Sequence, residues 1–211
     1  MVYRRTPAVQ ARLDAQAGAI VHAATRVMSR EGFAGLSMVA VAAAAGVATG
    51  TVYKHFSGKS ELVTAVFRDV VGREVAAVAE AAGGGGSSVE RVTAAIETFA
   101  GRALKNPKLA YVLLAEPVDA AVDAERLRFR RAFTDTYESA VAEGVANGQL
   151  PPQNPRTSAA ALVGAIGEVM AGPLAQEQQS ESVIPELVEF ALRALGFHDP
   201  GGAGRAPAPH E

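Results

Sequence analysis

Residues 37–56 read S-M-V-A-V-A-A-A-A-G-V-A-T-G-T-V-Y-K-H-F. Ser37 suits a helix N-cap, because its hydroxyl can accept from free N–H groups of the first turn. Met38 to Ala45 then forms a short alanine-rich helix. Gly46 ends it, since a tight reversal with φ > 0 is tolerated best by glycine. A further short helix runs to about Phe56. Val41, Ala42, Ala45, Val47 and Val52 can build a small core between the two, and the alanines let them cross closely. Two short helices joined by a tight turn have the layout of a helix-turn-helix. Gly50 is the odd residue. A glycine inside a helix costs about 1 kcal/mol relative to alanine, and this one stands among Tyr53, Lys54, His55 and Lys59.

Helical patterns extend outward on both sides. Ala, Leu, Glu and Arg dominate and β-branched alternation is rare, so the chain reads as all-α. A first helix covers Pro7 to about Arg30, with Ile20, Ala24, Val27 and Met28 on one apolar face, and Gly32 stops it. After the helix-turn-helix, Ser57 can cap a fourth helix toward Ala81. Gly83 to Gly86 make a loop, and Ser87 with Glu90 resembles a capping box that restarts the helix. Further helices are expected to Asn106, over Lys108–Ala115, from about Val122 to Asn147, from about Arg156 to Ala171, and from about Val183 to Leu195. The Gly/Pro-rich tail, residues 197–211, is expected to be disordered.

The totals narrow the classes. The chain has 211 residues and no cysteine, which excludes disulfides and thiolate chemistry. No apolar run near the ~20 residues of a bilayer span is apparent, nor a signal peptide, so a cytoplasmic protein that does not engage a membrane is expected. Residues 1–70 carry eight Lys/Arg against four Asp/Glu, and the remainder carries 12 against 18. A basic first third suggests that this part alone meets a polyanion. The second helix of the motif is the one that would enter a DNA major groove.

At this point the stretch from Gly32 to Leu62 resembles the DNA-binding domain of the TetR/AcrR family of transcriptional regulators. The resemblance rests on Gly32-Phe33, Ser37, Val41-Ala42, Ala45-Gly46-Val47, Gly50-Thr51-Val52-Tyr53, His55-Phe56, Lys59 and Leu62. Three positions depart from the family pattern. Val41 replaces the usual Ile, Ala40 stands where an acidic residue is common, and Ala48 stands where Ser often caps the recognition helix. The resemblance implies phosphate contacts from Ser37, Tyr53, His55 and Lys59, and contacts to bases or their flanks from Thr49, Gly50, Thr51 and Lys54. Arg4, Arg5 and Arg12 could add a basic arm or remain a solvated tail. It also implies a domain of residues 1–60 that reads a double-stranded DNA operator. Residues 61–196 would then form a helical domain for dimerisation and an unknown small-molecule effector. The expected function is a ligand-responsive regulator, a repressor that binds a palindromic operator as a homodimer.

In the second part, Leu162, Ile166 and Val169 with Leu187, Phe190, Ala191 and Ala194 can form one apolar surface over the last two helices. Two copies would pack there as a four-helix bundle, or the residues fill the monomer's own core. Phe129, Phe133 and Tyr137 recur on one helix face, and with Phe99, Tyr111, Leu114 and Met170 they are candidates for a ligand pocket. Glu116, Asp119, Asp123 and Glu125 stand near Arg126, Arg128, Arg130 and Arg131. Opposite charges in equal number suggest ion pairs rather than a metal site, and the arginines raise the possibility of an acidic effector. No histidine stands beside a nucleophile and an orienting acid, and no phosphate loop or zinc spacing appears, so neither an enzyme nor a cofactor is expected. The other reading is an all-α interaction module, or a helical ligand-binding protein, without specific DNA binding.

Overall fold

The structure, a computed structural model, describes residues 6–176 and 182–197; Arg4, Arg5 and the tail from residue 198 lie outside the described residues. Every regular element among them is helical. They are α1 (Pro7–Gly35), α2 (Met38–Ala45), α3 (Thr49–His55), α4 (Lys59–Ala82), α5 (Ser88–Lys105), α6 (Pro107–Leu114), α7 (Ala120–Ala146), α8 (Pro155–Ala175) and α9 (Val183–Ala194).

The local causes are those of ordinary helix chemistry. The Thr6 side chain accepts from Val9 N, and Pro7 fills the first turn of α1. Ser37 caps α2, accepting from Ala40 N at 3.1 Å, and Gly46 closes α2 in the left-handed conformation at φ 67°. Ser87 and Glu90 form the expected capping box at α5. Ser57 sits one residue outside the α4 cap, which is Gly58, and donates from its N–H and Oγ to Glu61 Oε2, both at 2.7 Å.

Gly32 was expected to stop α1, and the helical backbone does break there, at a kink. It adopts φ 72° and ψ −174°, and one more turn follows to Gly35. The reason lies 83 residues away. The Glu116 carboxylate accepts from Phe33 N at 3.1 Å, and a Cβ on Gly32 would stand 3.3 Å from it. α8 likewise runs past Ala171 through Pro173 to Ala175.

Two apolar cores form. The first gathers Ile20, Val27, Met28, Val41, Val52, Leu62 and Val66, and takes in Leu109, Val112 and Val122 from α6 and α7. The second lies among α5, α7, α8 and α9 around Ile96, Val141, Met170, Leu174 and Leu187. α4 serves both: Leu62 to Val70 enter the first core, and Val71, Val78 and Ala82 enter the second. The far end of α4 is tied down. Gly83 N donates to Ala79 O at 2.8 Å, and Arg91 on α5 donates to Ala82 O while pairing with Glu143 on α7.

Two expectations about α8 and α9 need correction. Leu162, Ile166, Leu187 and Ala191 are buried within the single chain, so they fill its own core rather than an outer face. Val169 and Phe190 are the large apolar residues left outside, at 44% and 46% exposure, with Ala194 exposed beside them. Secondly, α8 is by length and composition apolar enough to cross a membrane, against the expectation of no such run. Its one side is core (Ala159, Leu162, Ile166, Met170, Leu174), and the opposite side carries Glu168 among small residues.

Candidate nucleic-acid interface and effector cavity

The helix-turn-helix leaves one surface polar and open. α3 begins at Ala48 with no side-chain cap, as the alanine there dictates, and only Val52 of the helix is buried. Tyr53 is 53% exposed. Lys54 is exposed too, while Thr49, Thr51 and His55 are half-buried. Gly50 is also on this helix, and a Cβ there meets nothing within 4 Å. Neither packing nor backbone strain within the chain therefore requires a glycine at this position.

Two of the expected phosphate-facing side chains already have partners inside the chain. His55 Nε2 lies 3.0 Å from Gln16 Oε1 on α1. Lys59 Nζ donates to Phe33 O at 2.6 Å and stands 4.1 Å from the centre of the Phe33 ring. An ammonium has three donors, so Lys59 braces the α1 kink with one and keeps others. Ser37, the helix cap, keeps its backbone at the start of α2 beside Val39, which is 65% exposed.

A cavity of about 130 Å³ opens between α4, α5, α6, α7 and α8. Phe99, Leu114, Phe129, Phe133 and Tyr137 line it, and Phe99 meets Phe133 edge-on with centroids 5.3 Å apart. Two candidates fall elsewhere. Tyr111 lines a separate cleft with Gly32, Lys108 and Glu116, and Met170 is buried in the second core. Spacing placed only Phe129, Phe133 and Tyr137 on a shared face, and it held no information on where Tyr111 and Met170 point. The α4 wall, Phe67, Val70 and Val71, was not singled out in the sequence, and its only signal was the apolar spacing of that helix. Ile166, expected at an outer surface, lines the cavity as well.

Glu74, Arg102, Arg126 and Arg130 add charge to the lining, and further ion pairs stand beside Arg126 along α7. Arg102 is paired with Glu74, at 2.5 and 2.9 Å. Arg126 donates to the carbonyls of Val112, Leu113 and Glu116 at 2.8–3.1 Å and to Asp123 at 3.1 Å, and so closes the open end of α6. Burial pushes its pKa down from the ordinary arginine value. Glu125, 6% exposed, accepts from Arg68 at 2.5 Å and Arg128 at 3.2 Å, and the hydrogen bond from Arg68 holds its pKa below the usual carboxylate value. Asp119 caps α7 and accepts from Ser60 at 3.2 Å. The acidic residues of this segment thus each serve a different local partner.

The comparisons with known proteins follow this anatomy. Residues 20–66 match the bacterial regulatory proteins of the tetR family, and residues 85–171 match the tetracyclin repressor-like C-terminal domain. No curated protein matches the sequence. Among solved structures, the fatty acid degradation regulator FadR from Bacillus halodurans is 18% identical. That match covers 93% of this chain and 100% of the other, with a TM-score of 0.76. FadR from Bacillus subtilis, solved in complex with stearoyl-CoA, is 20% identical over 85% of this chain and 98% of its own, with a TM-score of 0.74. A TetR/AcrR-family regulator from Thermobifida fusca is 23% identical over 87% and 98%, with a TM-score of 0.67. With a helix-turn-helix at one end and a helical domain around a cavity at the other, each matched by its own family segment, this chain belongs to the TetR family of bacterial transcriptional regulators.

Proposed function

We propose that the chain is a repressor that binds a near-palindromic operator as a homodimer and is released when a small molecule enters the cavity. One observation carries this reading: α4 is shared. Its first turns pack in the core of the reading head, and Phe67, Val70, Val71 and Glu74 on the same helix wall the cavity. An occupant that favours one placement of α4 changes the spacing of the two reading heads. It does so only to the extent that it binds that placement more tightly.

In this reading Ser37, Tyr53, His55 and Lys59 meet phosphates, and Thr49, Gly50, Thr51 and Lys54 meet base edges or their flanks. Residues 1–60 form the reading domain, and the rest of the helical chain carries the effector and the partner subunit. The outer faces of α8 and α9, with Val169, Phe190 and the small residues around them, make the dimer seam. The effector here is smaller than a stearoyl chain. A dry apolar cavity of about 150 Å³ takes a benzene ring, so the space here, about 130 Å³, encloses only the apolar body of the effector and leaves its polar head at the opening.

An electrophoretic shift with DNA selected from a random library tests the core of the reading. The expected result is a retained palindrome with half-sites about one helical turn apart. Failure to select any sequence above random DNA would remove the regulator assignment.

A further inference from the structure

We propose that the effector is an organic anion, an apolar body with a carboxylate at the cavity mouth and an oxygen at its buried end. This rests on the cavity being the effector site, as read above.

The charges around the cavity do not balance. Glu74 is taken by Arg102, and Arg126 is held by three carbonyls and Asp123. Arg130, one turn beyond Arg126, also lines the cavity, and its guanidinium has no hydrogen bond or ion pair among the described residues. The two guanidiniums repel each other, and Arg126 is already penalised by burial. A carboxylate between them removes the repulsion and takes a bidentate bond from Arg130. The surrounding wall is apolar, so the charge pair sits at the edge of a poorly solvated space, where it counts for more than in water.

The second anchor is Tyr137. It is 3% exposed, it lines the same cavity, and its hydroxyl has no hydrogen-bond partner among the described residues. Burial raises its pKa well above the ordinary tyrosine value, so it remains a neutral donor. No enclosed polar side-chain atom among the described residues lacks a partner, so this hydroxyl is open to the cavity and can donate to a ligand oxygen there. Arg130 and Tyr137 are seven residues apart on one helix, two turns, so the anchors are separated by about 10 Å. Phe133 lies between them against Phe99 and meets the apolar body. The occupant that fits is a carboxylate with a chain of about eight carbons or an equivalent ring, bearing an oxygen at its far end.

Calorimetry on the full chain with octan-1-ol, octanoate and 8-hydroxyoctanoate tests this. Octanoate should bind about tenfold or more tightly than octanol, the usual worth of a hydrogen bond to a charged group. 8-Hydroxyoctanoate should bind more tightly again. Arg130→Gln, at an exposed position, should bring octanoate down to octanol while leaving octanol unchanged. Tyr137→Phe should erase the advantage of the hydroxyl. Equal binding of alcohol and acid, no binding of any of the three, or unchanged octanoate affinity in Arg130→Gln overturns the proposal. So does a preference for octanoyl-CoA over octanoate, which would point to phosphate recognition instead. An operator-shift assay run alongside separates the two claims. Anion-selective binding that leaves DNA affinity unchanged keeps this assignment and removes effector control. DNA release by acid and alcohol alike does the reverse.

Discussion

Gly50 has open space where a side chain would go, so its role can be isolated by one substitution. Gly50→Ala should leave the fold as stable or raise its stability by up to about 1 kcal/mol, while operator affinity falls. Urea unfolding and a DNA titration on the same sample decide it. Equal operator affinity would mean that the glycine is merely tolerated. Lys59 is the opposite case, because it already holds Phe33 O. Lys59→Ala should lower stability by about 1.5–3 kcal/mol for the lost charged hydrogen bond. It should also weaken DNA binding on all sequences and reduce the salt slope by about one. An unchanged salt slope would leave Lys59 as a brace alone.

Among the elements, the contact between the α6–α7 connection and the α1 kink is the most informative. Glu116→Ala leaves the partly buried Phe33 amide without its acceptor, at a cost of about 1 kcal/mol. The expected result is a lower melting temperature and a weaker influence of any cavity ligand on DNA affinity, with ligand affinity itself retained. Calorimetry and DNA titration measured in parallel check this. The same contact shows where sequence reading reaches its limit. Ser37, Gly46, and the pair Ser87 and Glu90 act within three or four residues of themselves, so their caps and turns were legible. Gly32 was legible as an interruption, but the turn beyond it depends on a carboxylate from a distant segment. The cavity aromatics on α7 were legible as a stripe at helical spacing. Met170 and Ile166 were misplaced because α8 is apolar on nearly every side, and the packing of α6 and α7 against it decides which side is inward.

For the whole molecule, the buried and exposed halves of α8 and α9 separate folding from assembly. Leu187→Ala should cost about 2–5 kcal/mol of stability, as a core truncation does. Val169→Glu with Phe190→Glu should leave the melting temperature within a few degrees and shift the sedimenting species to monomer. A dimer that survives the double substitution would place the seam elsewhere. Acid should also loosen the molecule. Glu125 has a folded-state pKa depressed below 4.5, chiefly by Arg68, so its contribution is present above that value and is lost as pH falls through the folded pKa. Glu125→Gln should therefore lower stability at neutral pH and flatten the acid side of the stability profile, as read by unfolding at a series of pH values.

The anchoring of α4 at Ala82 has a mechanical consequence. A helix of 24 residues is about 36 Å long. Held at one end by Arg91 and the Gly83 turn, it acts as a lever whose other end carries the reading head and bears on α6 and α7. A tilt of about 5° at the anchored end moves Lys59 by about 3 Å, close to the rise of one base pair. The two heads of a dimer would move together, so their spacing would change by up to twice that amount. An occupant that only slightly shifts Phe67 or Val71 could then move the recognition helices out of register with their grooves.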